Sequence, residues 1–151
     1  MTTTNDKSIA TVTHLSCLTQ YFIPFGNYIF PIIIWSSKKD ESEFVDYNGK
    51  QVLNFQLSIF LYTITLCLIA IPILVINVFK NIDFHSIIHH DEFVINNLNF
   101  QNFTGLSIIG IVAGLLVCFL KIAEFCLIIN AAVKTSNGEY YKYPLTIPFF
   151  K

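Results

Sequence analysis

His85 and His89 stand four residues apart in "DFHSIIHHDEF", and His90, Asp91 and Glu92 follow directly. On a helix, two histidines at that spacing share a face and can hold a metal. No cysteine supports them, and a water-facing loop gathers such residues without converging them, so no metal or cofactor is expected. Lys121 and Glu124 form a second pair, three residues apart inside an otherwise uncharged stretch. A lone charge in hydrocarbon costs at least about 2.5–3.5 kcal/mol, and an i,i+3 partner lowers that cost. Two readings stay open: a proton or ion relay, or a self-satisfying pair whose lysine reaches toward the interface. The third concentration of charge is "WSSKKDESEFVDYNGKQVLNFQ", Trp35 to Gln56. Its acids are balanced by neighbouring lysines and open to water, so they are poor candidates for perturbed catalytic groups. There is no phosphate-binding Gly-x-x-x-x-Gly-Lys and no His-Glu-x-x-His. Nor is there a Ser/His/Asp arrangement that sequence can place. The chain is therefore expected not to be an enzyme.

The elements that position these groups follow from hydropathy. Hydrophobic residues make up 54% of the chain and charged ones 13%, against about 25% charged in soluble domains. Net charge is −1 and every basic residue is lysine, which argues against nucleic acid as a partner. Three apolar stretches, 12–35, 52–79 and 106–133, each exceed the ~20 residues that a helix needs to cross a bilayer. The expected fold is an all-α integral membrane protein, one domain over 1–151, with three transmembrane helices. The first is kinked or broken at Pro24–Asn27, where "IPFGNYIFP" removes helix donors. A re-entrant hairpin, giving a four-helix count, is the alternative. A hinge at 36–51, an outer loop at 80–105 containing a short interfacial segment, and a tail at 134–151 complete the chain. With three crossings, Lys38, Lys39, Lys50, Lys134, Lys142 and Lys151 share one side and only Lys7 and Lys80 the other. Positive-inside bias then makes the hinge and the C-terminus cytoplasmic. Cys17, Cys67, Cys118 and Cys126 all fall in apolar stretches without a Cys-x-x-Cys pair and read as small packing side chains.

Helical spacing marks two faces. Gln51, Asn54, Ser58, Tyr62 and Thr65 make a polar stripe on the second apolar helix. Such groups need partners in hydrocarbon, so the stripe should face another helix or a wet cavity. Ser107, Gly110, Gly114 and Cys118 make a small-residue face on the third, continued by Lys121; its Gly-x-x-x-Gly spacing suits close helix packing. In the hinge, Lys38, Lys39, Asp40, Glu41, Phe44, Asp46, Gly49 and Lys50 form the candidate docking surface. Phe44, Val45 and Tyr47 are expected to dip into the interface, and Gly49 to permit a turn before the next helix.

Several motifs, "THLS", "IPFGN", "KKDESEFVDYNGKQVLNFQ" and "NGEYYKYPL", resemble those of the Tic-twenty-like family of small bacterial membrane proteins. That family is distantly similar to a chloroplast inner-envelope protein-import subunit. The resemblance covers most of the chain, although the 80–104 loop looks longer than usual and Lys121 and Glu124 match no motif. It implies a polytopic helical protein of the bacterial inner membrane and supplies no reaction. The expected function is a non-enzymatic accessory subunit of a membrane complex for translocation, biogenesis or transport. Its partners would be the bilayer and other membrane subunits, with self-association compatible. The rival is a small homo-oligomeric channel or transporter lined by the polar stripe with Lys121 and Glu124.

Overall fold

The computed structural model describes residues 2–81 and 105–150. The His85–Glu92 cluster and the expected interfacial segment of the outer loop lie outside them. Every regular element among the described residues is helical: α1 (Thr4–Ser16), a 3-10 helix (Cys17–Tyr21), α2 (Gly26–Lys38), α3 (Glu43–Asn81) and α4 (Gly105–Ser136).

The first apolar stretch is not one crossing helix. α1 begins at a capping box, in which Asp6 N–H donates to Thr3 Oγ1 (3.1 Å) and Thr3 N–H to Asp6 Oδ2 (3.0 Å). Its end tightens into the 3-10 helix. The chain then reverses around Pro24 and Phe25, whose φ of 62° lies in the left-handed region, before α2 starts and packs back on α1. Pro24 has no N–H to continue a helix. Gly26 follows because a Cβ there would sit 2.5 Å from Thr19 Oγ1. The kinked single crossing is thus replaced by a hairpin of two 13-residue helices.

The charged hinge is also shorter than its sequence suggests. α3 begins at Glu43, so Gly49 is a helix-interior residue and not a turn. It is small because the Trp35 ring lies against it: an added Cβ would be 2.2 Å from Trp35 Cδ1. Phe44 and Val45 are buried within the protein (2% and 1% exposed), not free to dip into an interface.

α3 and α4 are long and apolar enough to cross a membrane. Only 11% of the most apolar window of α3 and 17% of that of α4 are buried within the chain. A soluble core helix would be covered on most sides, so these two faces require an apolar surrounding. α4 ends in a Schellman motif: Glu139 N–H donates to Lys134 O (3.2 Å) and Gly138 N–H to Thr135 O (2.9 Å), with Gly138 at φ 88°.

The chain divides into two compact units, Met1–Tyr62 with Leu120–Lys151, and Thr63–Phe119. In the first, Cys17, Val52, Phe55, Ile59, Ile128, Ala131, Tyr141 and Tyr143 make the core. Phe55 stacks flat on Tyr143, centroids 4.0 Å apart. In the second, α3 and α4 meet through small side chains. Ala70 and Ala113 are buried, and a Cβ on Gly110 would lie 2.8 Å from Ile73 Cγ2.

Candidate functional site

The first unit contains three polar clusters. At the level of Asn48, four segments meet around His14, which is fully buried. His14 Nε2 lies 3.2 Å from Asn48 Oδ1 and Nδ1 lies 2.8 Å from Tyr143 Oη. Asn48 Oδ1 can only accept, so Nε2 carries the proton and Nδ1 accepts from the tyrosine. Thr135 Oγ1 donates to the same Asn48 oxygen (3.3 Å), and Asn48 Nδ2 donates to Phe44 O (2.9 Å). A neutral imidazole satisfies every partner. Burial holds its pKa down at about 4, against a weaker opposing pull from Asn48, and burial likewise pushes the Tyr143 phenol well up.

The sign of the pH effect follows. The unfolded chain protonates His14 near pH 6.5 and the folded one only near 4. Stability is therefore complete above about pH 6.5 and falls as pH drops toward 4, by about 3 kcal/mol at full protonation. Thermal unfolding at pH 7 and pH 4.5 should show this loss, and His14→Gln should lack it. Equal pH dependence in both proteins would remove His14 as the cause.

Nearly two turns further along α3, from Asn54 onward, lies the polar stripe, and the partner of Asn54, Ser58 and Tyr62 is the chain's own tail. Asn54 Oδ1 accepts from Phe149 N–H (3.0 Å) and Phe150 N–H (2.8 Å), while Asn54 Nδ2 donates to Phe150 O (2.9 Å). Ser58 Oγ accepts from Ile147 N–H (2.8 Å) and donates to Asn54 O (2.7 Å). Tyr62 Oη donates to Leu145 O (3.1 Å). Three members of the stripe thus hold a backbone segment that has no helix of its own. Gln51 shares their helix, and its Oε1 is buried without a hydrogen-bond partner. Thr65 lies beyond them in the second unit. Asn54, Ser58 and Tyr62 are therefore occupied by the tail.

The third cluster surrounds Glu124, fully buried on α4. Lys121 Nζ donates to its Oε2 (2.9 Å) and Gln20 Nε2 to its Oε1 (3.0 Å). The lysine side chain remains 41% exposed. Nearby on α2 and α3, Asn27 Nδ2 donates to Gln56 Oε1 (2.7 Å), and Gln56 Nε2 is buried without a partner. Both carboxylate oxygens are already occupied, so the pair reads as structural, tying the hairpin turn to α4.

The other expected positions are placed as follows. Gly110 is a close-approach site, whereas Gly114 meets nothing within 4 Å and Cys118 is exposed. The described part of Ser107 is its helical backbone. In the hinge, Asp46 accepts from Trp35 Nε1 (2.9 Å) and pairs with Lys50 (2.7 Å). Lys38 pairs with Glu41, and Lys39 lies over the Trp35 ring, 5.0 Å from its centroid. Phe44 and Tyr47 meet the edge of Tyr140, which joins hinge and tail. Asp40 and Glu41 are exposed. No grouping of three or more His, Cys, Asp or Glu suited to a metal occurs among the described residues.

His14, Gln20, Asn27, Asn48, Gln56, Thr135 and Tyr143 were not singled out from sequence. Five of them sit in the quoted motifs "THLS", "IPFGN", "KKDESEFVDYNGKQVLNFQ" and "NGEYYKYPL", where polar residues beside apolar runs were the available signal.

Among the described residues these features define a helical protein with two apolar helices of membrane-crossing length and a compact unit with a polar core. A family model described as the magnetosome magnetite crystal formation protein family, MamF/MmsF, matches residues 5–150. The chain belongs to that family. This corrects the Tic-twenty-like resemblance: the family match covers the residues of all the quoted motifs, and nothing ties them to a protein-import subunit. Comparison with curated proteins gives no match, and comparison with solved structures gives none either.

Proposed function

We propose that this chain is a non-enzymatic multi-pass membrane protein that serves as an accessory, contact-making subunit in the process its family is named for, magnetite crystal formation at a membrane. The observation that carries this reading is the closure of the Asn54–Ser58–Tyr62 stripe by the tail. Among the described residues, much of the polar interior holds the protein's own segments together, which supports a structural use of those groups. What remains outward is apolar surface on α3 and α4 for lipid, and a water-facing surface where hinge and tail meet at Tyr47 and Tyr140. The excess of lysine in hinge and tail supports a cytoplasmic side for that surface.

Three measurements test this. Gentle solubilisation from the native host should retain a stoichiometric membrane-protein partner, and liposomes carrying the protein should show no ion flux above empty ones. Deletion of the gene in that host should change the size or number of its mineral crystals. Unchanged crystals together with a partner-free monomer would sink the proposal. Flux abolished by Lys121→Met or Glu124→Gln would restore the channel.

A further inference from the structure

We propose that the α1–α2 hairpin is a re-entrant wedge that enters one leaflet of the bilayer and returns, so that the N-terminus lies on the same side as the tail. This rests on the reading of α3 and α4 as membrane spans. The first reason is where the polar ends of the hairpin sit. Lys7 Nζ at the start of α1 donates to Asn137 O (3.4 Å), beside the end of α4. The Asp6 carboxylate is held below its usual range first by Thr3, and also by Ser42 and Lys38 at the end of α2. Trp35 is held by Asp46 on the first turn of α3. Both ends of the hairpin therefore lie against hinge and tail.

The second reason is what the turn exposes. Phe22 is 87% exposed, Phe25 67% and Tyr21 55%. The turn lies against the apolar parts of the long helices, with Tyr21 meeting Phe125 and Tyr28 meeting Phe60. Phe60 and Phe125 are themselves about half exposed, so the apolar surface of the turn is continuous with that of α3 and α4. Water would not tolerate such a tip, and a bilayer already adjoins it.

Length and backbone chemistry agree. From Trp35, a headgroup-belt residue, to Phe25 is about 15 Å at 1.5 Å per residue. That is one leaflet of a hydrocarbon core roughly 30 Å thick. Backbone donors at such a depth need internal partners. In the turn, Phe22 and Ile23 N–H donate to Thr19 O, Gly26 N–H to Ile23 O, and Tyr28 and Ile29 N–H to Phe25 O. Pro24 has no N–H to satisfy. The occupant of this surface is thus lipid acyl chain. A second copy of the chain would need polar complementarity that the tip does not offer.

The test uses the full chain, with its four cysteines replaced, in phosphatidylcholine/phosphatidylglycerol vesicles. Asn5→Cys and Glu139→Cys should react with a membrane-impermeant maleimide from the same side. A spin label on Phe22→Cys should show high collision rates with oxygen and low rates with a water-soluble nickel chelate. Labelling of positions 5 and 139 from opposite sides would overturn the wedge and leave the two spans intact. A label at 22 that nickel reaches, or that neither probe reaches because protein covers it, would also overturn it. Release of the whole protein by alkaline carbonate would sink the membrane reading itself, and the wedge with it.

Discussion

Asn54→Leu should release the C-terminal tail. One side chain accepts from two tail N–H groups and donates to a tail carbonyl, and it is 2% exposed. At about 1 kcal/mol for each hydrogen bond, tail docking weakens by about 3 kcal/mol. That is roughly a hundredfold in the local opening equilibrium. Lys142 is exposed between the buried Tyr141 and Tyr143, so it reports on that opening. Tryptic cleavage there should accelerate about a hundredfold where opening is fast relative to cutting. The global unfolding midpoint, followed by the fluorescence of the single tryptophan, separates tail release from general unfolding. An unchanged cleavage rate would mean that the tail is held elsewhere.

Gly49→Val should have a comparable effect by a different route. The first carbon of any side chain there would lie 2.2 Å from Trp35 Cδ1, 2.5 Å from Cγ and 2.9 Å from Cβ. These atoms are close to the α2 backbone, so a rotamer change does not relieve the clash. The hairpin must shift off α3, with loss of the Trp35–Asp46 hydrogen bond. The expected cost is about 3 kcal/mol, with a change in the tryptophan emission. Trp35→Ala in the Gly49→Val background should recover part of the stability, measured as a double-mutant cycle. No recovery would show that the strain lies elsewhere in α3.

Much of this architecture was legible before the fold was known. α3 and α4 follow from uninterrupted apolar runs, and α4 even carries the close-approach Gly110 at the expected place. The first stretch was harder, because hydropathy counts apolar residues without saying whether the chain continues or turns back. Pro24 and Gly26 marked the break, yet only the packing of α2 on α1 decides between a kink and a reversal. The stripe on α3 was visible by its spacing, but its partner was not. That partner is backbone, and backbone contributes no residue type to read; Asn54 and Phe149 are 95 residues apart. The hinge misled for a related reason. Charge density suggests a loop, whereas Glu43 and Asp46 are acids in the first turn of a helix, where its dipole favours them. The family resemblance went astray because the motifs that carried it are packing motifs. His14, Asn27, Asn54, Gln56 and Gly138 specify how segments meet, which is fold information, and fold does not name a process.

The His14 cluster has a consequence for how the protein is made. Its imidazole emerges early from the ribosome, and the hydroxyl that completes it, on Tyr143, lies 129 residues later. Asn48 is synthesised in between and Thr135 only shortly before Tyr143. During translation, the N-terminal hairpin therefore has a buried site with one wall missing. The base cannot close until nearly the whole chain has left the ribosome and both long helices are placed. Loss of the segment from Tyr143 onward would then act on the first helix, 129 residues away in sequence.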